Sequence, residues 1–99
     1  GMVEIGIPAK FNLSQNYPNP FNPITNINFS LPFDSKVSII LYDMNGREVK
    51  TLINNTMTAG YYTEIFNLSS LSSGTYFYRF ISKSIGKVYI ATKKMILLK

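Results

Sequence analysis

The chain is 99 residues long, 45 % hydrophobic and only 15 % charged, which excludes disorder and suits one domain with one core. It contains no Cys and no His, so disulfide staples, thiolate chemistry, the commonest general base and the usual soft metal ligands are excluded. The net charge is +5, and residues 79–99 carry six of the ten basic side chains and no acid.

The opening Gly1-Met2-Val3-Glu4 lacks the basic and apolar regions of a signal peptide, and Gly1 before Met2 reads as the remnant of a removed tag. Residues 1–10 are therefore expected to be a linker and possible processing region, with the domain at 11–99. Phe11-Asn12-Leu13-Ser14 suits a short strand. Asn16-Tyr17-Pro18-Asn19-Pro20-Phe21-Asn22-Pro23 does not continue it, because prolines at alternate positions remove donors and force extended or turn geometry. Tyr17 and Phe21 are expected to anchor this loop.

After Pro23 the pattern has period two. Thr25, Ile27, Phe29 and Leu31 share a face, as do Val37, Ile39 and Leu41 in the next strand. Asp43-Met44-Asn45-Gly46 is a tight-turn signal, since Asn and Gly tolerate positive φ. A return strand follows over Arg47–Ile53, and Asn54-Asn55-Thr56 and Ala59-Gly60 are expected to break the chain. Further strands are expected over Tyr62–Asn67, over Tyr76–Ser82 with Tyr76, Tyr78 and Phe80 inward, and over Lys87–Leu98 as one strand or a pair. No segment carries a capped 3.6-residue period, so no helix is expected.

Leu71-Ser72-Ser73-Gly74-Thr75-Tyr76 has the spacing of a tyrosine corner, in which a Tyr hydroxyl clips the backbone a few residues upstream. Gly74 and Tyr76 thus favour an all-β, immunoglobulin-like antiparallel sandwich of about seven strands with Greek-key connections. Ile27, Phe29, Val37, Ile39, Leu41, Leu71, Tyr76 and Tyr78 are its expected core.

Chemistry is sparse. The carboxylates Glu4, Asp34, Asp43, Glu48 and Glu64 include no pair spaced for acid/base work and no converging set for calcium, so neither catalytic residues nor a metal or cofactor is expected. No run approaches the roughly 18 apolar residues of a membrane-spanning helix. Nucleic-acid binding is disfavoured because most aromatics fall on core-facing positions and the basic residues crowd one terminus. Lysines near an open edge have an ordinary role in keeping that edge soluble; the functional alternative is an electrostatic tag for an acidic receptor.

Four segments together carry a resemblance: Gln15-Asn16-Tyr17-Pro18-Asn19-Pro20-Phe21-Asn22-Pro23, Tyr42-Asp43-Met44-Asn45-Gly46-Arg47-Glu48-Val49, Leu71-Ser72-Ser73-Gly74-Thr75-Tyr76-Phe77-Tyr78-Arg79 and Lys93-Lys94-Met95-Ile96-Leu97-Leu98-Lys99. The chain resembles the C-terminal sorting domain of the type IX (Por) secretion system of Bacteroidetes and relatives. The resemblance implies a non-enzymatic module attached to an upstream cargo, which reaches the periplasm by its own signal peptide. The module then directs the cargo through an outer-membrane translocon to the cell surface, where a sortase commonly removes the domain. Carried onto this chain, it implies recognition through Gly46 and Arg47 and through Lys93, Lys94, Met95, Ile96, Leu97, Leu98 and Lys99, with Pro18, Asn19 and Pro20 shaping the loop. The terminal segment is expected to be read by the export machinery rather than needed for the core, its strand adding to the edge of a receptor sheet. The alternatives are a passive immunoglobulin-like spacer or adhesion module and a flagellar hook-capping-like domain.

Overall fold

The computed structural model describes residues 6–99. Residues 1–5, with the expected tag remnant at Gly1, lie outside the described residues. The alternation of apolar side chains resolves into seven strands: β1 (Asn12–Leu13), β2 (Ile24–Leu31), β3 (Ser35–Tyr42), β4 (Glu48–Met57), β5 (Gly60–Asn67), β6 (Gly74–Ser84) and β7 (Lys87–Leu97). They form two antiparallel sheets, ordered β1-β2-β5 and β4-β3-β6-β7. β2 and β5 pair along their whole length although the β3–β4 hairpin, which belongs to the other sheet, lies between them in sequence. This is the Greek-key crossing of an immunoglobulin-like sandwich.

Each strand places its apolar set inward because a half-buried strand exposes alternate residues to opposite faces. Ile27, Phe29 and Leu31 of β2 meet Val37, Ile39 and Leu41 of β3, Tyr78 and Phe80 of β6, and Met95 and Leu97 of β7, all essentially inaccessible to water. Phe29 bridges the layers, with ring centroids 5.2 Å from both Tyr62 of its own sheet and Phe80 of the other.

Several expectations need correction. Asn54–Thr56 does not break the chain: it continues β4 to Met57, opposite Lys36, Val37 and Ser38. The ladder to β3 outweighs the weak strand preference of Asn, and the Asn side chains point to solvent. Tyr17 is 76 % exposed and anchors nothing through its ring; its backbone pairs with Asn26 while the neighbouring Asn16 is buried. Leu71 is half-buried, because Leu68 takes the core position and a turn from Leu68 to Leu71 carries the latter outward. Of the two readings left open for the last segment, one strand or a pair, the structure has the single strand β7.

Candidate functional site

The sequence segments of interest converge at one end of the four-stranded sheet, where Tyr42, Phe77 and Lys94 form a row across β3, β6 and β7. The β3–β4 turn projects from this end. Asp43 Oδ1 accepts the backbone N–H groups of Asn45 at 2.8 Å and Arg47 at 3.0 Å, and the Gly46 N–H closes the turn on the Asp43 carbonyl at 3.0 Å. The Arg47 N–H, joined by that of Asn45 and by the Arg47 guanidinium, holds the Asp43 carboxyl below its ordinary range. Gly46 has φ +79°, a left-handed conformation that side chains resist. Arg47 Nε lies 3.3 Å from Asp43 Oδ2, but its side chain is 76 % exposed, so the pair adds little stability and leaves the guanidinium accessible.

The terminal segment is divided by the strand period. Met95 and Leu97 are core side chains, whereas Lys94, Leu98 and Lys99 are exposed and Lys93 and Ile96 half-buried. The segment is thus not dispensable to the core: burying a Leu or Met contributes about 1.5–3 kcal/mol. Nor is its edge free. Gln15 Nε2 donates to the Lys94 carbonyl at 2.6 Å, and Asn19 Oδ1 accepts the Ile96 N–H at 2.9 Å. The Phe21 N–H donates to the Ile96 carbonyl, and the Phe21 carbonyl accepts the Leu98 N–H, both at 2.9 Å. The outward backbone groups of β7 from Lys94 to Leu98 are therefore taken by the chain itself, which blocks strand addition there. Lys99 is held in turn, its N–H by Ser73 Oγ at 2.9 Å and its ammonium by the Ser69 carbonyl at 2.5 Å.

The proline loop that supplies this clasp is built around Asn16. Its Nδ2 donates to Thr25 Oγ1 at 3.0 Å and to the Pro18 carbonyl at 3.1 Å, and Thr25 Oγ1 donates to the same carbonyl at 3.0 Å. The Asn16 N–H donates to the Tyr78 hydroxyl at 2.8 Å. The chain bends through Pro18, Asn19 and Pro20, with Asn19 Oδ1 reaching the Ile96 N–H and Phe21 buried in the core. Period two places Thr25 inward, but the hydrogen-bonding roles of Gln15, Asn16, Thr25 and Ser73 escape it because a strand period registers which face a residue takes and not its polar partner. The signal present is a Gln-Asn pair separated from the first proline by Tyr17 alone.

Tyr76 donates to the Ser72 carbonyl at 2.7 Å, so the corner expected from Gly74 and Tyr76 is there. A second, unanticipated corner stands in the other sheet, where Tyr62 donates to the Thr58 carbonyl at 2.6 Å. Both corners share one spelling, Ser72-Ser73-Gly74-Thr75-Tyr76 and Thr58-Ala59-Gly60-Tyr61-Tyr62, with the ring lying over a glycine two residues back. That repeat was the available signal.

Among the described residues no three Asp, Glu, His or Cys side chains gather as metal ligands. What the arrangement offers is a hydrogen-bonded chain end carrying exposed cations and, on the turn that projects from the same end of the sheet, an exposed arginine. The sequence pattern of the secretion system C-terminal sorting domain family matches residues 15–97. The match runs from Gln15, which caps Lys94, to Leu97, which bridges to Phe21. No curated protein matches the chain.

Proposed function

The chain belongs to the family of secretion system C-terminal sorting domains, and on that premise we propose that it is the signal by which a type IX machinery carries an upstream cargo across the outer membrane. Membership implies export to the surface or medium, attachment to a cargo and contact with the secretion machinery, and the family is not one of enzymes. The finer reading is that the cargo travels by way of the periplasm, the translocon reads this domain, and a surface sortase cuts within residues 1–10, ahead of the folded domain at 11–99.

The observation that carries the reading is the clasp itself. The proline-loop motif and the terminal motif, about 75 residues apart in sequence, are hydrogen-bonded to each other at Phe21 and Ile96 within the span of the family match. Recognition falls on the accessible groups: Arg47, presented by the turn that Gly46 permits, and Lys93, Lys94, Ile96, Leu98 and Lys99. Met95 and Leu97 contribute by fixing the strand that displays them. An exposed cationic end speeds encounter with an acidic receptor.

The test is a reporter fused ahead of the full chain in a host with a type IX system. Lys93→Glu with Lys94→Glu is expected to leave the purified chain's Tm nearly unchanged while the reporter accumulates in the periplasm. Surface delivery at the unmodified level removes the terminal lysines from recognition.

A further inference from the structure

The two outer faces of the sandwich differ in charge. The strand positions facing out from the β1-β2-β5 sheet, such as Asn26, Asn28, Tyr61, Thr63 and Ile65, carry no charged side chain. The outer face of the other sheet carries Lys36, Arg79, Lys83 and Lys94, with a single acid, Glu48, at its rim. Solubility alone would spread charge over both faces. Edge protection does not account for it either, because Lys36 and Lys83 stand on β3 and β6, the two central strands of the sheet.

Lys36 and Lys83 are also direct cross-strand partners, and like charges so placed repel. Among the described residues the one ion pair is Asp43–Arg47, so neither lysine is ion-paired, and the nearest acid is Asp34, which lines the same concavity and accepts the Ala59 N–H. Arg79 stands four residues away on the same face of β6, its backbone about 13 Å from that of Lys83 at the usual rise per residue. Between the two lies Ile81, half-buried and flanked by Ser38 and by the exposed Ile90. The Arg79 guanidinium sits 5.0 Å above the Tyr42 ring, which holds it in place.

We propose that this outer face of β3, β6 and β7 is a docking surface for a protein partner that presents carboxylates around an apolar centre. It rests on the sorting reading, and names the surface and the chemistry by which the export machinery engages the domain. Charge complementarity selects the partner: carboxylates on either side of an apolar centre meet the Lys36–Lys83 pair at one end and Arg79 at the other, with Ile81 and Ile90 between them. A lipid surface is the poorer match. Membrane-seeking faces push a broad set of apolar side chains several ångströms past their charges, whereas here Ile40 and Ile81 lie half-buried at the centre and the exposed Val88 and Ile90 stand only along β7.

Lys36→Glu and Lys83→Glu test the surface singly, since each replaces the repelling pair with a Glu–Lys pair and leaves folding intact, with Tm unchanged or raised. Each is expected to lower surface delivery of the reporter about tenfold or more, as like charges then face each other across the interface. Thr63→Glu, on the opposite sheet, is expected to deliver normally. Normal delivery by both lysine variants overturns the docking surface and leaves the sorting role standing; absence of delivery by the unmodified chain removes both. Ile81 replaced by a photo-crosslinking benzoylphenylalanine is expected to capture a protein during export, and no protein adduct overturns the proposal. So does lysine-dependent co-sedimentation of the purified chain with vesicles of phosphatidylglycerol and phosphatidylcholine, which would assign the face to a membrane.

Discussion

The Tyr78 hydroxyl donates to the Ser14 carbonyl at 2.7 Å, and in the same place it accepts the Asn16 N–H at 2.8 Å. One buried phenol on β6 thus fixes the start of the proline loop to the opposite sheet. Tyr78→Phe keeps the ring but strands a donor and an acceptor, and is expected to cost about 1–3 kcal/mol in urea denaturation.

The same phenol confers an alkaline limit. Burial pushes its pKa from 10.0 to about 12. A folded-state value above the unfolded one means that the contribution is intact below pH 10 and is lost as pH rises through about 12. Denaturation midpoints taken across this range are expected to fall less steeply in Tyr78→Phe than in the unmodified chain; parallel curves would assign the alkaline loss to other groups.

Asp43 sets an opposite, acid-side dependence. Its carboxyl is held below the ordinary 3.8, first by the Arg47 N–H. A depressed folded-state value gives stability that is present above the ordinary carboxylate range and lost as pH falls through the folded pKa. Asp43→Asn is expected to flatten this acid limb in thermal scans, and an unaltered limb would mean the turn does not depend on the charge.

The two terminal leucines separate core from surface. Leu97 is fully buried and Leu98 is 55 % exposed. Leu97→Ala is expected to cost about 2–5 kcal/mol through transfer and cavity terms. Leu98→Ala should stay within about 0.5 kcal/mol, so any export defect it shows is one of recognition. Equal losses of stability for both would contradict the alternation.

At Gly46 the turn and the recognition roles can be parted. Gly46→Ala is expected to cost about 1–2 kcal/mol because φ is +79°. Gly46→Asn, which tolerates that conformation, should recover most of the stability and deliver the reporter normally. A stable Asn variant that is not delivered would show that the glycine itself is read.

Much of this fold was legible in the sequence because strand alternation is local. The inward sets Ile27-Phe29-Leu31, Val37-Ile39-Leu41 and Tyr76-Tyr78-Phe80 follow from period two, and the hairpin turn follows from Asn45-Gly46. The corner at Tyr76 was equally plain, since its donor and acceptor lie four residues apart. The sorting segments were recognisable for the same reason, each being a contiguous run.

What the tertiary structure alone decided involves partners distant in the chain. Asn16 turns inward and Tyr17 outward because the sandwich brings Tyr78 and Thr25, each with a hydroxyl, to Asn16, and a buried amide needs such partners. Asn54–Met57 stays extended because β3 offers it a ladder. The terminal strand lost its free edge only when Phe21, Asn19 and Gln15 reached Ile96 and Lys94. The paired lysines 36 and 83 met only when the register between β3 and β6 was set. Composition and spacing fix which face of a strand is apolar; which distant backbone group or charge lies opposite depends on sheet order and register, and those come from packing the whole core at once.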